Sequence, residues 1–435
     1  MEAKTNIRRL LAGTSFVALL AASDAVLAAG VTVNTPRTTP LVQVTAVDFI
    51  EVTPSGKITV SNSSDPAIGI LVSDEGSVSG DIENSGQIKA TGVNAAAGIL
   101  VIDGGEVGGD IINHESGVII AHATDQSASA EAFAGGMLAD VSTIYGDIVN
   151  EGSITARAKA NANVNVTDSD SAHALGTAFA IASGIGAGWI GLPDTGGHVD
   201  HIMGSVGNAA GAELVVRALA AANNHAVATG STATGGAEAV ASAERVMALA
   251  YGVISDAGPS GTIDGAVVNM GEVAVVAKAT AANYAEAHGV DGVFHDDHDA
   301  VANAIGSAYA GAIGIGAWAD AMGTAGSSMA GYIANVGELN VLAQALTTNT
   351  AIADASAGQA ASASAFGMAE AQAAGIKNGV SSLTGGMLNM GAVEVIAGAG
   401  SRNTAQVIDE ENAYERGSAS ASGAASAEAV GMKMG

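Results

Sequence analysis

Apolar positions along this chain return at every second residue. Ile82, Asn84, Ile88 and Ala90 keep even spacing, as do Ile148, Asn150, Ile154, Ala156 and Ala158, and the run Ala128, Ala130, Ala132, Ala134. A two-residue period puts these side chains on one face of a strand, whereas a helix needs returns at three and four. The pattern predicts strands through most of the chain. Alanine is also the best helix former, so the stretch from Ala237 to Tyr251 admits either structure.

The strands belong to a repeated tile. GDIVNEGSI at Gly146 recurs as GDIENSGQI at Gly80, GDIINHESGVI at Gly109 and GSVGNAAGAEL at Gly204. It returns again as GAVVNMGEV at Gly265, GYIANVGEL at Gly331 and GGMLNMGAV at Gly385. The seven tile asparagines are Asn84, Asn113, Asn150, Asn208, Asn269, Asn335 and Asn389, spaced by 29, 37, 58, 61, 66 and 54 residues. The unit persists while its loops are expected to lengthen. In fuller units an alternating run follows a polar loop and ends in Gly-Ile or a relative: AIGI at Ala67, AAGI at Ala96, ASGI at Ala182, AIGI at Ala312 and AAGI at Ala373, with AEAV at Ala427 as another.

A motif used seven times reads as an architectural tile, since an enzyme needs one site. Asn-x-Gly suits a corner: glycine takes positive φ at little cost, and asparagine tolerates the left-handed region while bonding nearby backbone. Stacked coils place the asparagines above one another, exchanging amide hydrogen bonds, with the isoleucines in an adjacent column. One tile cannot bury its own apolar face, but stacked tiles share a thin continuous core. The expected fold is all-β, a right-handed parallel β-helix (β-solenoid) of irregular repeats with long Ala/Gly-rich segments. Its expected organisation is a signal peptide over 1–28, an N-terminal cap segment over 29–54, and solenoid repeats over 55–435 that stop partway into a repeat.

Composition sharpens this picture. Glycine numbers 59 of 435 residues and aromatics are 3%, too few large side chains for an ordinary compact core. A hydrophobic content of 48% argues against wholesale disorder. The net charge of −28 repels nucleic acid and anionic headgroups, so neither is an expected partner. There is no cysteine, which removes disulfides, thiolate catalysis and cysteine metal sites together. Lys4, Arg8 and Arg9, the apolar run Leu10 to Ala22, and Val26-Leu27-Ala28 have the layout of a secretory signal peptide.

The signal peptide, the absence of cysteine, the acidic bias and the GDIxNxGxI tiles with Gly-Ile runs between them resemble the passenger region of a Gram-negative autotransporter (type V secretion). The resemblance covers roughly Gly56 to Gly435. It implies a chain exported through the periplasm and displayed at the cell surface as an adhesin, aggregation factor or coat. Its implied partners are a host or environmental surface, a glycan or neighbouring copies of itself. Autotransporters end in an aromatic-girdled membrane β-barrel, and no such segment occurs here. Contact with the outer membrane is expected only through a barrel outside this chain.

Candidate chemistry is sparse. Two loops gather histidine and aspartate: GGHVDHIMG, with His198, Asp200 and His201, and HGVDGVFHDDHDAV. In the second, His295, Asp297, His298 and Asp299 have spacings that suit zinc or calcium, and otherwise form a solvated tip that blocks edge-to-edge pairing. No other cofactor is expected. A catalytic β-helix needs a pair of carboxylates, or carboxylates with a base, on neighbouring coils. Asp81, Asp110 and Asp147 instead recur at one tile position, as a corner or rung would. ALGTAFAIASGIGAGWIGLP from Ala174 and AIGSAYAGAIGIGAWA from Ala304 mimic membrane helices, but both sit at the tile's alternating run and read as strands, followed by loops carrying Trp189 and Trp318. The expected function is a non-catalytic adhesive or structural solenoid, with binding between about Gly188 and Ala330. A carbohydrate-active β-helix lyase or glycosidase, and a self-assembling matrix or fibre protein, are the alternatives.

Overall fold

The computed structural model describes residues 30–434 apart from 44, 74–75, 103, 142, 189–200, 231–235, 258–260, 290–299, 319–327, 356–359 and 410–416. Among these residues there is no helix. Strands pair in parallel into three long sheets that run the length of the stack. The first holds nine strands of three residues each, from Val31–Val33 to Met387–Asn389. The second holds nine, from Pro36–Arg37 to Ala392–Asp409, and the third ten, from Leu41–Gln43 to Ser418–Met434. Successive strands of each sheet come from successive coils, so the chain is a parallel β-helix.

The stretch Ala237 to Tyr251 lies within the strand Ala237–Asp256. Of the two uncharged stretches, residues 177–188 lie in the strand Thr177–Gly188 and residues 304–318 in the strand Ala300–Trp318. No helix among the described residues is long and apolar enough to cross a membrane. The described residues of the 29–54 segment join the same stack, with Val31 opposite Ile50 and Ile50 opposite Ile82.

The expected loop lengthening is corrected by the structure. Most added residues extend strands. The second-sheet strand has seven residues at Gln87–Val93, eight at Val118–Asp125 and 17 at Ser153–Ser169. Inward alanines continue at every second position, so each added pair of residues finds another dry surface to cover. Ser153–Ser169 then reverses at Asp170, φ 69°, and returns on the third sheet as Ser171–Leu175 and Thr177–Gly188. Asn94, φ 65°, makes the same reversal in a short coil.

Three columns of aliphatic side chains fill the interior. Ile82, Ile111, Ile148, Val206, Val267 and Ile333 stack on the first sheet. Ile88, Ile119, Ile154, Leu214, Val273 and Leu339 stack on the second. Ile99, Met137, Ile185, Val253, Ile315 and Ile376 stack on the third. They belong to one continuous core. The extended arms enclose a separate core whose fully buried members, such as Ala226, Ala239, Ala285, Ala302 and Ala363, are all alanine. A third apolar cluster, including Leu71, Leu100, Phe133, Leu138 and Tyr251, lies on the opposite side of the third sheet.

Candidate functional site

The tile asparagines form one hydrogen-bonded ladder. Asn84 Nδ2 donates to Asn113 Oδ1 at 2.7 Å, Asn113 to Asn150 at 2.7 Å, and Asn150 to Asn208 at 2.8 Å. Asn208 continues to Asn269 at 3.0 Å, Asn269 to Asn335 at 2.8 Å, and Asn335 to Asn389 at 2.9 Å. The first six are fully buried, and each also bonds to backbone, as when Asn150 Nδ2 donates to the Gly152 carbonyl and Asn269 Nδ2 to the Glu338 carbonyl of the next coil. The ladder is as expected, but the corner's backbone is not. Among described non-glycine residues only Asn94 and Asp170 have positive φ, so no tile asparagine is left-handed. The tile glycines are required by close approach instead: a Cβ on Gly152 would lie 2.3 Å from the Gly117 carbonyl oxygen, and one on Gly86 would lie 2.3 Å from that of Gly56.

The Gly-Ile runs lie inside the third-sheet strands, and their glycines form a stacked column. Gly69, Gly98, Gly136, Gly184, Gly252, Gly314 and Gly375 stack so that a Cβ on each would meet the carbonyl oxygen of the next at 2.2–2.8 Å. The recurring aspartates are rungs, as their repetition indicates. Asp81 Oδ1 accepts from the Asp110 N–H at 2.8 Å, Asp110 from Asp147 at 2.7 Å, and Asp147 from Ser205 at 2.6 Å. Each carboxylate caps an amide of the following coil, which is a structural task.

A second asparagine ladder was not anticipated. Asn224, Asn283, Asn349 and Asn403 lie in register and bond in series at 2.9, 2.7 and 2.8 Å. It lies where the aliphatic core gives way to the alanine core. Gly306, Gly367 and Gly423 face it from the third sheet, and a Cβ on Gly306 would lie 2.6 Å from Asn349 Oδ1. The signal for it was present as the inward, even-numbered spacing of these asparagines against alanine, but it has no glycine motif to mark it.

His295, Asp297, His298 and Asp299, with His198, Asp200 and Trp189, lie outside the described residues. Their described neighbours make rungs: His201 Nε2 is 2.7 Å from Asp264, and His288 sits 2.9 Å from Glu286 and 3.3 Å from Asp354. His114 likewise lies between Glu83 and Glu151, at 3.5 and 3.1 Å. Among the described residues no group of three or more His, Asp or Glu has metal-binding geometry. An open cleft of about 550 Å³ on the third sheet is lined by Tyr251, Tyr309, Gln372, Lys377, Glu428 and Lys433 among others. Glu428 is its single carboxylate among the described residues and is paired with Lys433 at 2.8 Å. That lining lacks the two carboxylates of glycoside hydrolysis.

The outward side of the second sheet gathers five of the described lysines and arginines. His122 pairs with Arg157, Arg157 with Arg217, and two residues further along Lys159 and Lys278 flank Leu219. Lys89 stands two residues from Thr91, the partner of His122. The five lysines and arginines are exposed, and none makes a hydrogen bond or ion pair among the described residues. Burial, then Arg157 and Lys89, holds the His122 imidazole below its ordinary value. One edge of the sheet carries Glu213, Glu272 and Glu338 in register. Towards the other edge, His225 stacks on Tyr284 with ring centroids 4.8 Å apart. No protein family, curated protein or solved structure matches this chain.

Proposed function

We propose that this chain is an exported, surface-displayed β-solenoid, similar to an autotransporter passenger, that adheres or coats without catalysis. The observation that carries this reading is the commitment of the described interior to stacking. The recurring polar groups that a catalytic site would recruit are spent on ladders: asparagines bond asparagines, and aspartates cap amides. What remains for a partner is the outward face of a rigid stack nine strands deep, about 40 Å. The signal-peptide segment, which lies outside the described residues, is consistent with export. The lack of cysteine is compatible with crossing an oxidising periplasm.

Antibodies raised against the purified chain are expected to label intact cells of the source organism, and external protease is expected to remove that label. Antigen reached only after lysis would overturn the display. A scan of polysaccharides tests the absence of catalysis. Turnover abolished by Asp299→Ala would favour the carbohydrate-active enzyme.

A further inference from the structure

We propose that the cationic band on the outer side of the second sheet binds a linear anionic polysaccharide, laid along the stack across neighbouring coils. The inference deepens the adhesive reading and rests on it only for where the ligand is met. Its core residues are Lys89, Arg157, Lys159, Arg217 and Lys278, with His122 between them.

Four observations lead to it. Five of the chain's 15 lysines and arginines gather on one face of a molecule with net charge −28. Chance scattering would surround them with carboxylates, yet none of the five has an ionic partner among the described residues. Register places Arg157 directly beside Arg217, about 4.8 Å apart at the backbone, an arrangement that costs stability in the absence of an anion. The field is already felt at His122, where Arg157 and Lys89 add to burial in disfavouring a further proton.

Shape and border select the kind of anion. The band is three alternate positions wide, about 14 Å, and rises through five coils, about 19 Å of stack. Glu213, Glu272 and Glu338 border it along one edge. A broad anionic surface such as a lipid bilayer, or a duplex whose phosphates surround it, would press onto those carboxylates. A single thin chain with spaced carboxylates or sulfates would not. Guanidinium and ammonium groups at rung spacing meet such groups by charge-assisted hydrogen bonds. Asn161, Asn163 and the stacked His225–Tyr284 pair extend the same face with amides and an aromatic surface suited to sugar hydroxyls and ring edges.

The test is equilibrium binding of the purified full chain to heparin, polygalacturonate, neutral dextran, duplex DNA and phosphatidylserine vesicles at low and physiological salt. Saturable binding to heparin or polygalacturonate, weakened by salt and absent with dextran, is expected. Heparin against polygalacturonate separates sulfate from carboxylate recognition. The double variant Arg157→Gln/Arg217→Gln is expected to lose roughly tenfold or more in affinity. Arg245→Gln and Lys433→Gln, which change basic residues on third-sheet strands away from the band, are expected to stay within about twofold. Retained β-sheet circular dichroism and a melting temperature no lower than the parent's confirm that the double variant is folded; a variant that does not fold is replaced by Lys159→Gln/Lys278→Gln. No saturable binding to either polysaccharide, equal losses in the control variants, or preferred binding of DNA or vesicles overturns the proposal. Binding by a chain that antibodies do not find on intact cells would overturn the display reading alone.

Discussion

Asn208 has one ladder partner below and one above, and both lie in the dry interior. Asn208→Ala leaves the Oδ1 of Asn269 without its donor while Asn150 keeps the Gly152 and Glu213 carbonyls. The expected loss is about 1–3 kcal/mol, read as a lower midpoint in urea. Asn208→Asp is expected to cost more, because it buries a charge and sets two acceptors face to face. If the two variants unfold with the parent, the ladder contributes nothing to stability. The glycines divide in the same way. A Cβ on Gly252 would lie 2.2 Å from the Gly314 carbonyl oxygen, so Gly252→Ala is expected to cost about 3 kcal/mol. A Cβ on Gly207 meets only the Val268 carbonyl oxygen at 3.5 Å, and Gly207→Ala is expected to gain about 0.5 kcal/mol. His122 gives a pH signature. Its pKa in the fold lies below 6.5, so the unfolded chain takes the proton first; this contribution is complete above that value and is lost as pH falls through it. His122→Thr, the residue at the paired position 91, is expected to flatten the fall in melting temperature between about pH 7.5 and 5. An unchanged slope would remove the assignment.

At the scale of the element, the long arms show how alanine supports a sheet without large side chains. Facing strands lined by Ala226, Ala285, Ala239 and Ala302 keep water out only because neither face carries bulk. Such a layer has no slack. Ala302→Leu is expected to cost about 3 kcal/mol in a thermal or denaturant melt. Ala221→Leu, on the outward side of the second sheet in a column that already holds Leu346, is expected to stay within about 0.5 kcal/mol. Similar losses for both would mean that the alanine layer is loosely packed. The second asparagine ladder ties the inner boundary of this layer, so the arms and the aliphatic core meet at a fixed register.

At the scale of the whole molecule, each coil contacts its neighbours above and below through the same sheets. A solenoid of this kind tolerates removal of a complete unit, because the surfaces left behind are complementary. Deleting residues 209–269, one full spacing from Asn208 to Asn269, brings Asn208 against Asn335. The expected product is folded, rich in β-structure by circular dichroism, and shorter by about 4.8 Å in small-angle scattering. A product that loses its β signal would show that the coils are not interchangeable neighbours.

Much of this architecture was legible in the sequence because it is made of local, repeated choices. Period two set the strands, Gly-x-Ile-x-Asn marked a corner, Gly-Ile marked the ends of the alternating runs, and recurrence at Asp81, Asp110 and Asp147 pointed to rungs. Alanine's dual preference hid the arms, since period two and helix propensity compete within a single sequence and only the facing sheet settles between them. The second ladder left only a faint signal because Asn224, Asn283, Asn349 and Asn403 carry no flanking motif. The cationic band was hidden more deeply. Arg157 and Arg217 stand 60 residues apart in a strongly acidic chain, and no local window contains both. The sequence by itself determined the strand period and the tile that recurs, because each is decided by residues a few positions apart, and the recurrence of the tile asparagine gave the first ladder. The tertiary structure alone decided which distant side chains share a face, because coil length and register, not sequence separation, set that distance.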